Sequence, residues 1–312
     1  MKDQFNREID YLRVSITTRC NLNCVYCGKE SCDKKQRELP VSSLIALVRG
    51  FASCGIQKVR ITGGEPLVRT DVCDIVRGVR SIPGIETLAL TTNGVLLEQY
   101  AAPLAGAGLD SVNISLDSTD ESTYRHLTGA DVLDKVLRGI DAAQRAGIAS
   151  IRINAVLMKG VNDSGAADLI ALAKKQPIDV RFIELMPFSG VGEENARRVT
   201  TDELLLRFPF LKPMEQAENS TARYYTAEGF RGRIGFISPV SHKFCDACSR
   251  IRLLSDGRIK PCLAYDESFD LLPLIDDPSR LSSRIRDIIF SKPAGHDFEN
   301  RQTTHGLNRT GG

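Results

Sequence analysis

Short runs of apolar and β-branched residues alternate along this chain with longer stretches in which apolar positions recur at helical spacing. The runs LRVSIT (12–17), KVRIT (58–62), TLALTT (87–92), SVNISL (111–116), IRINAVL (151–157) and VRFIEL (180–185) predict strands. Helical periodicity predicts helices near 41–53, 71–80, 96–107, 131–146 and 165–174. Strand followed by helix, repeated at about 25 to 35 residues per unit, predicts an α/β fold with a parallel sheet and helices outside it. Right-handed crossovers curl such a series toward a partial (βα)6 barrel of the TIM type. The pattern changes after Pro187. SGVGEEN reads as a loop, TTDELLLRF as a short helix, and the residues from Tyr224 onward as short strands and turns such as SDGRI. The expected division is therefore a barrel over 1–190 and a smaller α+β region over 191–312.

The chain has 312 residues, enough to bury a large core without disulfides. Its 41 Lys and Arg against 39 Asp and Glu leave a net charge of +2, so no broad field attracts a polyanion or an anionic membrane, and any basic site must be local. The start, MKDQFNREID, is charged where a secretory signal would be apolar. No stretch approaches the roughly 20 apolar residues of a membrane span. The expectation is a cytoplasmic protein that binds neither nucleic acid nor membrane.

Six of the nine cysteines fall into two tight groups, Cys20/Cys24/Cys27 and Cys245/Cys248/Cys262. In a reducing compartment grouped cysteines point to metal before disulfide. Cys54 and Cys73 lie in helical patterns and read as small buried apolar residues. Cys32, in a polar run, reads as an isolated surface residue. Ligands of parallel α/β folds gather at the carboxyl ends of the strands. Here those ends deliver the first cysteine group, Gly63, Gly64 and Glu65, then Thr91 to Asn93, Ser115 and Asp117, and Glu184 and Met186.

Three thiolates spaced C-x3-C-x2-C can wrap a cubane iron-sulfur cluster, each on a different iron, leaving the fourth iron open. A structural zinc site wants four ligands, and the four histidines lie far away in sequence, while Cys32 reads as a surface residue. CNLNCVYC, with Tyr26 before its third cysteine, resembles the signature of the radical S-adenosylmethionine superfamily. GGEP at 63–66 resembles that superfamily's second motif; alone it would only mark a turn. The resemblance implies that the open iron chelates S-adenosylmethionine, which one electron cleaves to a 5'-deoxyadenosyl radical.

The second triad, C-x2-C-x13-C, again offers three thiolates, with a zinc ribbon as the competing reading. Arg250 and Arg252 alternate onto one face of the strand between its cysteines. Arg13, Arg60, Arg152 and Arg181 also lie on strand runs, where a charge is costly unless an anion meets it. Guanidinium forks suit phosphate.

LRVSITTRCNLNCVYC, KVRITGGEPL, LTTNG, VNISLDS, RINAV, KGVND, RFIELM, FCDACSRIRLLSDG and the terminal GG are similar, over essentially the whole chain, to the molybdenum-cofactor GTP 3',8-cyclase family. That resemblance implies a lyase that converts GTP to (8S)-3',8-cyclo-7,8-dihydroguanosine 5'-triphosphate, the first step of molybdenum cofactor (molybdopterin) biosynthesis. It implies two 4Fe-4S clusters, the second in the C-terminal region with GTP between them, an electron donor as partner, and room for a homodimer. By motif position, S-adenosylmethionine contacts fall on Tyr26, Gly64, Ser115 and Met186. GTP contacts fall on Arg13, Arg60, Thr91, Arg250 and Arg252, and on Arg152, where the family commonly has lysine. The chain departs from the family in Gly28 and Lys29 after the first triad, in the short segment before Pro40, and in the short segment before Gly311 and Gly312. A radical peptide-modifying enzyme and a zinc-stabilised binding module are the rival readings.

Overall fold

The computed structural model describes residues 1–27, 38–187, 197–216 and 220–298. The six predicted strands form, as β1 (Tyr11–Ser15), β2 (Lys58–Thr62), β3 (Thr87–Thr92), β4 (Ser111–Ser115), β5 (Ser150–Leu157) and β6 (Asp179–Glu184). Consecutive strands pair in parallel. The helices α1 (Val41–Ala52), α2 (Val72–Arg80) and α3 (Leu97–Gly106) also lie where periodicity puts them. Between β4 and β5 there are two helices, α4 (Glu121–Thr128) and α5 (Leu133–Arg145), where periodicity predicts one. Asp120 caps α4, accepting from Thr123 N at 2.8 Å, and Gly129 ends it at φ 72°. Eight residues with a charged, hydroxylic sequence carry too weak an apolar stripe to announce themselves. The helix α6 (Ala166–Lys175) completes the series.

Residues beyond 190 extend this sheet at both edges. After α7 (Thr201–Arg207) come β7 (Lys212–Pro213), β8 (Arg223–Thr226) and β9 (Ile234–Ile237); β9 pairs in parallel with β6, and β8 and β7 follow antiparallel. At the other edge β10 (Arg250–Leu253) pairs in parallel with β1, and β11 (Arg258–Lys260) and β12 (Phe269–Asp270) follow antiparallel. The result is one 12-stranded sheet with β12 and β7 at its edges. The last helix, α8 (Pro278–Phe290), packs on α1, where Gly50 leaves room for Leu281: a Cβ there would come within 2.8 Å of it. The apolar core lies between the sheet and its helices, with Leu12, Ile61, Leu90, Ile114 and Ile153 wholly buried. Cys54 is buried just beyond α1; Cys73, in α2, is half-buried; Cys32 lies outside the described residues. Among the described residues no helix is long and apolar enough to cross a membrane.

The first residues brace the last. Asp3 and Arg7 form a buried pair, with Nε donating to Oδ2 at 2.7 Å. The same guanidinium donates to the carbonyls of Cys245 at 2.9 Å, Ala294 at 2.6 Å and Pro293 at 2.7 Å. Removing one member of such a pair strands the other charge, at a cost of about 3 to 5 kcal/mol. Arg7→Met is therefore expected to destabilise the chain by about that amount in denaturant unfolding. Arg7→Met combined with Asp3→Asn is expected to lose less than the sum of the single losses.

Candidate active site

Cys20, Cys24 and Cys27 sit half-buried on the loop that follows β1. Two backbone bonds tie that loop to the end of α4: Asn23 N donates to Thr128 O at 3.0 Å and Val25 N to Leu127 O at 2.9 Å. Asn93, at the end of β3, donates from Nδ2 to Asn21 Oδ1 at 2.7 Å and to Cys20 Sγ at 3.8 Å. The Tyr26 hydroxyl donates to Asp117 Oδ2 at 2.5 Å, while Asp117 Oδ1 accepts from Val156 N at 2.8 Å. Burial pushes the Asp117 carboxyl up to about 6. Burial, then the Asp117 charge and the two neighbouring cysteines, push the Cys24 thiol well up. Bare thiolates thus oppose one another here, and a cationic iron centre would relieve that.

The GGEP turn locks onto the same loop from behind. A Cβ on Gly64 would lie 2.4 Å from Arg19 O and 2.6 Å from Thr18 O, and one on Gly63 would lie 2.6 Å from Thr17 O. Gly64 N donates to Thr17 O at 2.8 Å and Glu65 N to Arg19 O at 2.7 Å. The glycine pair is thus already required by the chain's own backbone, where the sequence suggested approach to a ligand. Glu65 is fully buried and accepts from Thr92 Oγ1 at 2.8 Å, Asn93 N at 2.6 Å and Leu67 N at 2.9 Å. Burial outweighs these three bonds and lifts its carboxyl to about 7.

Cys245 begins a single 3-10 turn between β9 and β10, Cys248 caps its end, and Cys262 follows β11. Gly295 lies against Cys245, where a Cβ would be 3.3 Å from that of the cysteine. At Cys248 burial alone would raise the thiol, but Arg250 and Lys292 outweigh it and bring the thiol down to about 7. His296, far away in sequence, stands in the same wall and bonds through Nε2 to Pro239 O at 2.6 Å.

Both triads line one cavity of about 750 Å³. Its walls include Arg13, Arg60, Arg181, Arg250 and Arg252, together with Tyr26, Gly64, Thr91, Ser115 and Met186. The pairing register explains the grouping of the arginines. Tyr11 stands opposite Arg250 and Lys58, and Arg13 opposite Arg252 and Arg60, so β10, β1 and β2 present charge side by side. Burial pushes Arg181 and Arg252 down to about 10, and mutual repulsion adds to it: Arg250 acts on Arg252, and Arg60 and Arg152 act on Arg181. Arg60 is lowered by burial and then by Arg152 and Arg250, and its Nε has no hydrogen-bond partner among the described residues; the same holds for Thr91 Oγ1.

Arg152 does not line the cavity, although it shares a face of β5 with Asn154 and Val156, which do. Met186 lies on the side of the second triad, where it packs against the cluster of Ala264 and Phe298. Glu184 turns away and accepts from Val240 N at 3.1 Å and Ser241 N at 3.0 Å. Gly311 and Gly312, and the segment after Cys27, lie outside the described residues. Sequence reading counted Arg181 among the strand arginines that call for an anion but did not place it among the GTP contacts; here its Nε donates to Asn154 Oδ1 at 2.9 Å, and a second bond goes to Asn113. Lys292, in the cavity wall, carried no signal at all, because only the return of the chain after α8 brings it there.

The donor set fits two iron-sulfur clusters better than single ions. Among the described residues no three Cys, His, Asp or Glu side chains are arranged to hold one metal ion. A cubane does not ask for that, since each thiolate takes a different iron.

Comparison with known proteins agrees with the geometry. Residues 14–173 match the model of the radical SAM superfamily and residues 178–298 that of Molybdenum Cofactor Synthesis C. The chain is 41% identical to a GTP 3',8-cyclase of Alkaliphilus oremlandii, over 100% of both chains. It is 42% identical to one of Clostridium acetobutylicum, over 95% of this chain and 94% of that one. Among solved structures it resembles Streptococcus suis SuiB bound to the precursor peptide SuiA, with a TM-score of 0.63 at 17% identity over 90% of this chain and 67% of that one. It also resembles anSMEcpe with bound AdoMet, with a TM-score of 0.57 at 17% identity over 92% of this chain and 82% of that one. These two likenesses establish the radical SAM fold.

Glu65 supplies a test of the site's architecture. Its folded-state value lies above the usual carboxylate value of 4.5, so the folded chain holds the extra proton between about 4.5 and 7. Stability due to this group therefore falls as pH rises through that window, by up to about 1.4 kcal/mol per unit. The difference in unfolding free energy between wild type and Glu65→Gln should move in favour of wild type as pH drops from 7.5 to 5.5, and stay level above about pH 8.

Proposed function

We propose that this chain, which belongs to the GTP 3',8-cyclase family of the radical SAM superfamily, joins C3' of the ribose of GTP to C8 of its guanine in the first step of molybdenum cofactor biosynthesis. The observation that carries the reading is that two cysteine triads and five arginines face one cavity. Cys20, Cys24 and Cys27 would hold one 4Fe-4S cluster, and Cys245, Cys248 and Cys262 the other. Bound, the first cluster and S-adenosylmethionine supply a hydrogen-abstracting 5'-deoxyadenosyl radical. We take residues 1–190 as the part that carries the first cluster and 191–312 as the part that carries the second.

The work of the chain is to place one nucleotide between these ends. The buried guanidiniums at the base of the cavity suit a triphosphate: each offers paired donors, and an anion removes the repulsion among them. Arg13, Arg60, Arg250 and Arg252 take the phosphates on this reading, with Thr91 donating its free hydroxyl and Arg152 adding charge from behind. Fixing the phosphates fixes the ribose, and a reacting atom held about 3 to 3.5 Å from its target reacts there before it meets protein or solvent. Tyr26 serves S-adenosylmethionine through its backbone, since its hydroxyl is committed to Asp117. Gly64, Ser115 and Met186 complete that contact set. An electron donor meets the first cluster from outside, and the protein works in the cytoplasm, as a monomer or a homodimer.

The test is an anaerobic incubation of the reconstituted chain, free of any C-terminal extension, with GTP, S-adenosylmethionine and dithionite. The expected products are 5'-deoxyadenosine and a cyclised nucleotide, both dependent on GTP. Deoxyadenosine formed equally well without GTP would remove the substrate from this reading. Arg252→Ala is expected to raise the KM for GTP about 10- to 100-fold, the loss of a charged hydrogen-bonded contact, while cluster content stays unchanged.

A further inference from the structure

We propose that Lys292 is the counter-charge of the second cluster, a positioning residue that steadies the Cys262 strand end and raises the cluster's reduction potential. The inference rests on the reading that Cys245, Cys248 and Cys262 hold a 4Fe-4S cluster.

Lys292 follows α8 and turns inward, with only 2% of its surface exposed. Its Nζ donates to Pro261 O at 2.7 Å, the carbonyl immediately before Cys262. The backbone on either side is fixed as well: Lys292 N donates to Ile289 O at 3.2 Å, and Lys292 O accepts from Gln4 Nε2 at 3.3 Å. A lysine ammonium has three donors and no acceptor, so one bond to a carbonyl leaves two donors and the charge unanswered among the described residues.

Burying that charge is expensive unless an anion meets it. Among the described residues Lys292 forms no ion pair with a carboxylate. Arg7, another buried cation that bonds to this region, differs on that point because Asp3 neutralises it. The cysteines are what Lys292 is placed beside: it lines the same cavity wall as Cys245, Cys248 and Cys262, and its Nζ bond reaches the carbonyl directly before Cys262. Three thiolates on a cubane form a negative centre, and added positive charge favours the reduced, more negative form. Net charge and hydrogen bonding around a cluster are the levers by which a protein sets its potential. Lys292 works both: the charge acts on the cluster, and the bond to Pro261 fixes the carbonyl next to a ligand.

The experiment compares wild type, Lys292→Met and Lys292→Arg, each as the full chain reconstituted anaerobically, by iron analysis and by a redox titration followed by electron paramagnetic resonance. Wild type is expected to take up about eight irons per chain. Lys292→Met should either keep the second cluster at a lower midpoint potential or lose it, falling toward about four irons. Lys292→Arg should restore both readings, since it keeps the charge and a donor. Two outcomes overturn the proposal: Lys292→Met with wild-type iron and potential, or Lys292→Arg as impaired as Lys292→Met. A wild-type chain that takes up only about four irons overturns instead the reading of the second triad on which this one rests.

Discussion

Crowded positive charge inside a parallel sheet is the constraint that organises this molecule. Parallel strands covered by helices are normally apolar on both faces. Here Arg13, Arg60, Arg181 and Arg252 are turned into the cavity, and burial together with mutual repulsion lowers the pKa of each. Such an interior is stable only if the groups are hydrogen-bonded or if an anion enters. The structure shows the first. Arg181 is held by Asn113 and Asn154, whereas Arg60 and Thr91 keep buried atoms with no protein partner among the described residues. On the proposed reading the phosphates of GTP complete these unfinished hydrogen bonds.

The two edges of the sheet explain why one cavity can serve two cysteine triads. The loop after β1 carries the first triad. The second flanks β10, which pairs in parallel with β1, and β9, just before that triad, pairs in parallel with β6. The C-terminal residues therefore continue the sheet on both sides and bring its ends toward each other around the cavity. Arg7 then bonds the start of the chain to Cys245 and to residues 293 and 294, so that the second triad is braced by segments far apart in sequence. By contrast, the first triad is braced locally, by GGEP behind it and by α4 beside it.

That difference decides what could be read from the sequence. The strands β1 to β6 were legible because each is a short apolar run bounded by turn signals, and the first triad because its ligands and its GGEP support fall at consecutive strand ends. The helix α4 was not legible, being short and hydroxylic. Nor was the parallel pairing of β9 and β10 with the barrel, since a strand of four residues looks the same in a sheet of its own. Arg152 shows the limit from the other side. Alternation correctly puts it on the inner face of β5, but depth along the strand decides whether a side chain reaches the cavity, and there Asn154 and Val156 reach it and Arg152 does not. Lys292 and Arg7 lie in segments without pattern, and their partners are set wholly by tertiary packing.

The near-neutral balance of the whole chain belongs to the same design. A net charge of +2 gives little long-range attraction for a nucleotide, yet the cavity is strongly positive. Charge on a surface is screened within a Debye length of about 8 Å at physiological ionic strength, whereas buried or partly buried charge is screened much less. On the proposed reading a nucleotide is thus selected after it arrives, by donors arranged to hold it, and not by steering at a distance. On that reading the selection is strongest where the guanidiniums repel one another, because a phosphate bound there would relieve that repulsion. Recognition and the stability of the barrel interior would then be one property: the guanidiniums that repel one another most would contribute most to holding a phosphate.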